Sequence, residues 1–245
     1  MAKRSPLFLH LKHWQRFLLM LLLAGVGLQL YFLTRIVMLR YVDPQSTAFE
    51  RSQISQLLRE QDFRWSQQWV PYSRIHISLS RAVITSEDDL FASHDGVQWQ
   101  AIEKAWQRNE KAQARASANG KSAKVVGGST ITQQLAKNLF LSGERNFLRK
   151  GQELLITVAL ETCLSKERIL EIYLNHVEWG KGVYGAQAAA RHYFSKPASQ
   201  LTPWESARLA VMLPRPKYFE KLPQSPYLAE RSQVILSRMG AAVLP

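Results

Sequence analysis

The sequence has a single cysteine, only one long apolar run, and no acidic residue among its first 40 positions. Because Cys163 is alone, an intrachain disulfide is excluded, while an oxidising compartment is neither required nor excluded. Residues 1–40 carry +6 of the formal net charge of +13, and +7 falls on the rest of the chain. Positive charge attracts nucleic acid, anionic lipid or phosphorylated substrates, and it does not choose among them.

The sequence also has no internal repeat and no change in composition that would mark a second exported domain. The 245 residues are 46% hydrophobic, which is enough to bury a sizeable core. Helical patterns dominate beyond residue 85. The sequence therefore predicts one mainly α domain together with an appendage.

The one long apolar run lies between Arg16 and Arg35, where residues 17–34 are all uncharged. As a helix these eighteen residues reach about 27 Å, close to the hydrocarbon thickness of a bilayer. More Lys and Arg residues precede the run than follow it, so the positive-inside rule places the N-terminus in the cytoplasm. A buried core helix this uniformly apolar would be unusual, and no small-x-small cleavage signal closes the run, so we expect an uncleaved anchor rather than a core helix or a signal peptide.

We therefore divide the chain into four parts. They are a cytoplasmic tail (1–15), a transmembrane anchor (16–37), a membrane-proximal stalk (38–74) and an exported domain (75–245). The stalk is poorly patterned and is expected to pack onto the domain. Residues 75–84 alternate weakly, as a short strand or an extended approach to the next helix would.

Capping residues and apolar runs predict the helices of the domain. Residues 153–164 are almost wholly apolar and are expected to run through the core. An aromatic stripe over 97–111 fits core packing or a membrane-interface helix, and residues 113–126 resemble a mobile loop. The predicted helix starts are Ser86 with Asp89, Ser165 before 166–176, and Thr202 with Pro203 and Glu205, in a helix that stops at Pro214.

The run Gly127–Asn138 is the strongest local signal. Thr130 and Gln133 fit a capping box at a helix start. In that helix Thr130, Gln134 and Lys137 share one face, and together with free backbone N–H groups they suit a phosphate or diphosphate. A well-capped surface helix explains the same run equally well.

Two acidic positions are candidates for chemistry. Glu87 and Asp88 either complement a helix dipole or form a site with the residues that follow them. Arg149 and Glu153 have the i, i+4 spacing of a structural ion pair. Two carboxylates beside a surplus of cations nevertheless suggest displacement at a sugar carbon with a diphosphate leaving group, because such a group needs charge neutralisation more than a proton.

Four motifs occur in the order found in the lysozyme-like glycosyltransferases of family 51, the monofunctional biosynthetic peptidoglycan transglycosylases, and the chain resembles that family from about Ile75 to Met239. The resemblance implies a mainly α, lysozyme-like glycosyltransferase domain preceded by a single N-terminal transmembrane helix. The four motifs are Glu87-Asp88-x-x-Phe91-x-x-His94-x-Gly96, Gly127–Asn138, Arg149-Lys150-x-x-Glu153 and Ile169-Leu170-Glu171-x-Tyr173-Leu174-Asn175.

The same resemblance implies polymerisation of lipid II into glycan strands on the outer face of the cytoplasmic (inner) membrane. Glu87 would be the general base that activates the acceptor C4 hydroxyl, with inversion at the donor carbon and release of undecaprenyl diphosphate. Glu153 would orient the cations or a divalent metal. The implied diphosphate and substrate ligands are Lys137, Arg149, Arg145, Thr130, Gln134 and Ser129, and the implied supports of site geometry are Asp88, His94 and Asn138.

The implied partners are lipid II, the growing glycan strand and the membrane, with cell-wall synthesis or division proteins left open and no nucleic acid. Mg²⁺ or Mn²⁺ on the diphosphate is compatible with the sequence, which has no dedicated metal cage and implies no organic cofactor. Ser-x-x-Lys and Lys-Thr-Gly are absent, so we expect no transpeptidase domain. A lytic muramidase of similar fold and a non-catalytic membrane-tethered scaffold are the alternatives.

Overall fold

The structure is a computed structural model that describes residues 12–60, 64–99, 128–141 and 146–245, with six isolated residues between 102 and 114. Within these ranges most residues are helical. The helices are α1 (His13–Met38), α2 (Ala48–Arg59), α3 (Ile77–Glu87), α4 (Ile131–Phe140), α5 (Phe147–Cys163), α6 (Lys166–His176), α7 (Ala186–Phe194), α8 (Pro203–Met212), α9 (Pro216–Glu220) and α10 (Pro226–Arg238).

Helix α1 contains the predicted anchor. It is long and apolar enough to cross a membrane, and its apolar window is not buried inside the protein. Only its last turns enter the folded body, where Ile36 is fully buried and Leu39 nearly so. The helix therefore indicates membrane anchoring of the domain that follows.

Helix α3 corrects two predictions. Residues 75–84 are not a strand, because a helix begins at Ile77, where the His76 ring accepts a hydrogen bond from the Ser78 N–H at 3.2 Å. Ser86 does not start a helix either, because this one ends at Glu87. Several serines and β-branched residues weaken the helical signal of this sequence. The buried residues of the helix nevertheless include Leu79, Val83 and Ile84, four and five residues apart.

The segment predicted as a stalk is folded onto the domain. It contains α2 and strand β1 (Ser66–Gln67), which pairs in parallel with β3 (Val183–Tyr184), while β2 (Glu178–Gly180) pairs antiparallel with β3. A Cβ at Gly182 would lie 1.8 Å from the Arg64 carbonyl oxygen, so only glycine permits this approach. The boundaries at 15, 37 and 74 stay predictions.

Polar side chains of α6 hold that segment in place. Arg168 donates to the carbonyls of Leu39 and Val42 and to the carboxylate of Asp43. Asn175 makes two hydrogen bonds of 2.9 Å with the backbone of Val70. The last motif of the sequence thus serves in part to fix the chain between the anchor and the domain.

Helix α5 differs from its prediction. The prediction that residues 153–164 run through the core is correct for one face only, which includes Ile156 and Leu160. Leu155 and Val158 on the other face are more than half exposed. The second face is exposed because α5 packs on α1, so this face lies beside the anchor and not in the core.

The capping predictions at Thr130, Ser165 and Thr202 are confirmed. Trp99, in the aromatic stripe over 97–111, is 69% exposed, and Ile102 and Trp106 lie outside the described residues. The predicted loop over 113–126 lies outside them apart from residue 113. The core is built where α3 packs on α8 and α10, and the other end of the same helix α3 carries the candidate site.

Candidate active site

Glu87 is the last residue of α3 and lies half-buried against α4. The C-terminal end of a helix carries partial negative charge, which disfavours a carboxylate there. Burial raises the pKa of Glu87, and the neighbouring Asp88 adds to the rise, while a hydrogen bond from Gln134 and the charge of Lys137 oppose it. A carboxyl group with a raised pKa beside a cation is suited to accept a proton near neutral pH.

Asp88 holds the start of α4. Its buried carboxylate accepts hydrogen bonds from the Ile131 N–H at 2.9 Å, from the Gln98 amide at 2.6 Å and from His94 Nε2 at 2.8 Å. The Gly96 N–H donates to His94 Nδ1 at 3.0 Å. His94 thus links Asp88 to the backbone of the loop at Gly96, and both residues fix the geometry of that loop.

Thr130 caps α4 and joins it to the loop that follows Glu87. Its hydroxyl accepts from the Gln133 N–H and donates to the Gly96 carbonyl at 2.7 Å. The hydroxyl proton of Thr130 is thus used in a hydrogen bond to the backbone of that loop. Ser129 beside it is exposed, and Gly127 lies outside the described residues.

Gln134 and Tyr173 form a relay to the carboxylate. The Tyr173 hydroxyl, nearly fully buried, donates to Gln134 Oε1 at 3.1 Å, and Gln134 Nε2 donates to Glu87 Oε2 at 2.8 Å. Burial and the charges of Glu87 and Asp88 raise the pKa of Tyr173 well above its usual value, so it stays a donor. Tyr173 belongs to the fourth motif, but no role was predicted for it.

Helix α5 carries the second carboxylate. Glu153 is 3% exposed, and it accepts from Arg149 Nη1 at 3.1 Å and from Lys150 Nζ at 2.5 Å, which confirms the predicted i, i+4 pair. Arg149 Nε is buried and has no hydrogen-bond partner among the described residues.

Helix α4 packs on α5, which brings the two parts of the site together. Thr132 of α4 donates to Glu161 of α5, and Lys166 also bonds that carboxylate at 2.8 Å. Lys166 lies 4.7 Å from the ring centroid of the buried Phe91. Sequence reasoning gave Lys166 and Glu161 no role in the site, and nothing in their local sequence distinguishes them from surface residues.

The remaining predicted residues are less well defined by the structure. Lys137 lies one turn beyond Gln134 on α4, half-buried, and acts on Glu87 through its charge. Asn138 is half-buried on the same helix. Arg145 lies outside the described residues.

The described residues therefore define a helical domain with a half-buried carboxylate of raised pKa beside Lys137, joined to one apolar helix. A sequence model described as Transglycosylase matches residues 52–240, and the chain belongs to that family. The match begins in α2, upstream of Ile75, where the motif-based resemblance begins.

Curated relatives agree with this assignment. The chain is 54% identical over 223 residues to the biosynthetic peptidoglycan transglycosylase of Burkholderia thailandensis, covering 91% of this chain and 84% of that protein. It is 53% identical over 224 residues to the protein of the same name from Paraburkholderia xenovorans, covering 91% and 90%. For Burkholderia pseudomallei the identity is 55% over 223 residues, covering 91% and 84%.

Proposed function

We propose that this protein polymerises lipid II into β-1,4-linked glycan strands and releases undecaprenyl diphosphate. The family and its relatives support the reaction class. The observation that carries the assignment of residues is the half-buried Glu87, held by Gln134 and acted on by the charge of Lys137. The proposal places the domain outside the cytoplasmic membrane, with the N-terminus of the chain in the cytoplasm.

In the proposed step Glu87 removes the proton from the C4 hydroxyl of the acceptor N-acetylglucosamine. The oxygen forms a bond to C1 of the donor N-acetylmuramic acid, while the bond from C1 to the diphosphate oxygen breaks with inversion. The electron pair leaves with the diphosphate, which Lys137 and Arg149 neutralise. A positioned general base contributes about 10²–10⁴-fold to such a step.

Glu153 is assigned to orienting the cations. Both of its oxygens are engaged by Arg149 and Lys150, so the carboxylate sets the direction of two basic side chains. Ser129 and Arg145 stay predicted substrate ligands, and we assign Thr130 to holding the loop.

A divalent cation would belong to the substrate rather than to the protein. Among the residues that the structure describes, no group of three or more His, Cys, Asp and Glu could hold a metal ion. Mg²⁺ usually binds phosphates with only one or two carboxylates and several waters. We therefore propose that Mg²⁺ or Mn²⁺ arrives on the diphosphate, and no step above depends on it.

The experiment is incubation of the purified full chain in lipid vesicles with lipid II and Mg²⁺. The expected product is a polymer that a muramidase cuts to disaccharide units. Digestion of isolated sacculi without lipid II would instead indicate a lytic enzyme. Conversion of neither substrate would contradict both enzymatic interpretations and favour a scaffold.

A further inference from the structure

The anchor is docked on the catalytic domain over part of its length. Gln29 of α1 and Gln152 of α5 exchange two amide hydrogen bonds, of 2.8 and 3.1 Å. Phe32 packs edge-on against Phe140, the last residue of α4, with ring centroids 5.5 Å apart. Because α4 and α5 carry Lys137, Arg149 and Glu153, the anchor contacts the two helices that hold the cations of the site.

An apolar groove of about 770 Å³ lies between α1 and α5. One wall is formed by anchor residues between Leu18 and Ile36, and the other by Leu155, Ile156 and Ala159. The anchor wall extends for about 27 Å, since each helical residue adds about 1.5 Å. The wall on α5 is shorter, about 6 Å from Leu155 to Ala159, so the groove has two walls beside α5 and a single apolar wall farther along the anchor.

The groove lies farther along α5 than the charged part of the site, on the same helix. Gln152 lies beside Glu153 in sequence, and Leu155 is six residues beyond Arg149 on the same helix, about 9 Å along its axis. A lipid whose diphosphate binds Arg149 therefore has the mouth of the groove within reach of its first carbons. A ligand with an anionic head and a long apolar chain would place its head at Arg149 and its chain in the groove.

Water is a poor occupant of such a groove, because its lining offers few polar partners. An unfilled groove would also forfeit dispersion contacts along both walls. An apolar chain is thus required in the membrane. The remaining choice is between the chain of a substrate and that of an ordinary phospholipid.

We propose that this groove binds the polyisoprenoid chain of the diphosphate-linked donor. The inference rests on the proposed function, and it adds a lipid-chain site that includes the anchor itself. The anchor would then be part of the substrate site as well as a tether. A phospholipid acyl chain or a helix of another protein as the sole occupant would contradict it.

Two glycines of the anchor provide a matched test. A Cβ at Gly25 or at Gly27 would meet no atom within 4 Å, so a larger side chain fits at either position without a clash in the protein. Gly25 lines the groove and Gly27 does not. Gly25→Leu should therefore narrow the groove, while Gly27→Leu should leave it open.

The measurement is the ratio of kcat/KM for undecaprenyl lipid II to that for a farnesyl analogue, with the full chain in nanodiscs. We expect Gly25→Leu to lower this ratio about tenfold, as the loss of contacts with a few methylene groups would, and Gly27→Leu to leave it unchanged. Equal ratios in both variants would overturn the proposal. Activity on the farnesyl analogue in the same variants keeps this result separate from a failure of the proposed function.

A second measurement does not depend on turnover or on the variants. Lipid II with a photoreactive diazirine in its isoprenoid chain is cross-linked to the wild-type chain in nanodiscs, and the labelled peptides are mapped. We expect labels on both walls, at the peptides that contain Leu22 and Leu155, and loss of label when unlabelled lipid II is added in excess. Labels that excess phospholipid displaces but excess lipid II does not would contradict the proposal.

Discussion

Gln134 donates a 2.8 Å hydrogen bond from its side-chain amide to Glu87 Oε2, which makes a residue predicted to bind diphosphate a partner of the candidate base. The orientation of the amide is set by Tyr173, whose hydroxyl donates to the other end of the same group. Since a carboxylate needs a donor and a hydroxyl needs an acceptor, the amide satisfies both only in this orientation.

In Tyr173→Phe the side-chain amide of Gln134 loses the hydrogen bond that fixes its orientation. The hydrogen bond from Gln134 lowers the pKa of Glu87, so weakening it should raise that pKa further and move the acid limb of the kcat/KM profile to higher pH. The loss of the hydroxyl should also cost about 1 kcal/mol of stability. The pH profile of lipid II polymerisation checks the first effect.

Tyr184→Phe is the matched control, because the Tyr184 hydroxyl donates to Glu178 at 3.1 Å, away from Glu87. It should lower stability without moving the acid limb. An identical shift in both variants would show that the relay has no specific effect on Glu87.

Lys137→Gln removes a positive charge that lowers the pKa of Glu87 and that we assign to the leaving diphosphate. We expect kcat to fall about 10²–10³-fold, as for other preorganised groups that stabilise developing charge. The acid limb should also move to higher pH. Lys196→Gln, which removes a lysine paired with Glu205, is the control and should change neither quantity.

Glu87→Gln is expected to stabilise the fold at neutral pH. The pKa of Glu87 is raised above its ordinary value of 4.5, so ionisation costs free energy in the folded state once the pH exceeds that value. The neutral amide removes this cost and can still accept from Gln134. Thermal unfolding should show a higher Tm for the variant at pH 7, and a gain that disappears below pH 4.5; a gain independent of pH would refute this explanation.

Gly96→Ala is expected to destabilise the loop behind Glu87. Gly96 has φ +85°, and a Cβ there would lie 2.7 Å from Thr157 Cγ2 and 2.8 Å from Glu161 Cγ. Strain of this kind costs about 1–3 kcal/mol. Gly151→Ala, in the interior of α5 with open space around it, should instead stabilise the protein by about 0.5–1 kcal/mol, and chemical denaturation measures both.

Much of the local structure follows from short-range chemistry and could be predicted. The capping boxes at Thr130 and Thr202 and the pair of Arg149 with Glu153 each depend on residues three or four positions apart. The apolar anchor is equally local. In these cases the spacing within one helix is enough to bring the residues into contact, so the contact can be predicted from the sequence.

The failures involve contacts that are distant in sequence. The sequence around Glu87 predicts a helix start, because acids after a serine are typical of one, whereas α3 ends there. The buried face of 77–87 depends on packing against α8 and α10, which the local sequence does not show. Strand β1 pairs with residues more than a hundred positions away. The exposed face of α5 looks like core in sequence, because a surface beside an anchor and a protein interior select the same apolar residues.

The most direct test of the central claim separates binding from chemistry in Glu87→Gln, with Asp89→Asn, an exposed neighbour, as the control. In vesicles of equal protein content, the variant is expected to bind lipid II as the wild type does while the rate of glycan polymerisation falls about 10²–10⁴-fold. Asp89→Asn should polymerise at the wild-type rate. Polymerisation by Glu87→Gln at a rate close to that of the wild type would contradict the role of Glu87 as the base.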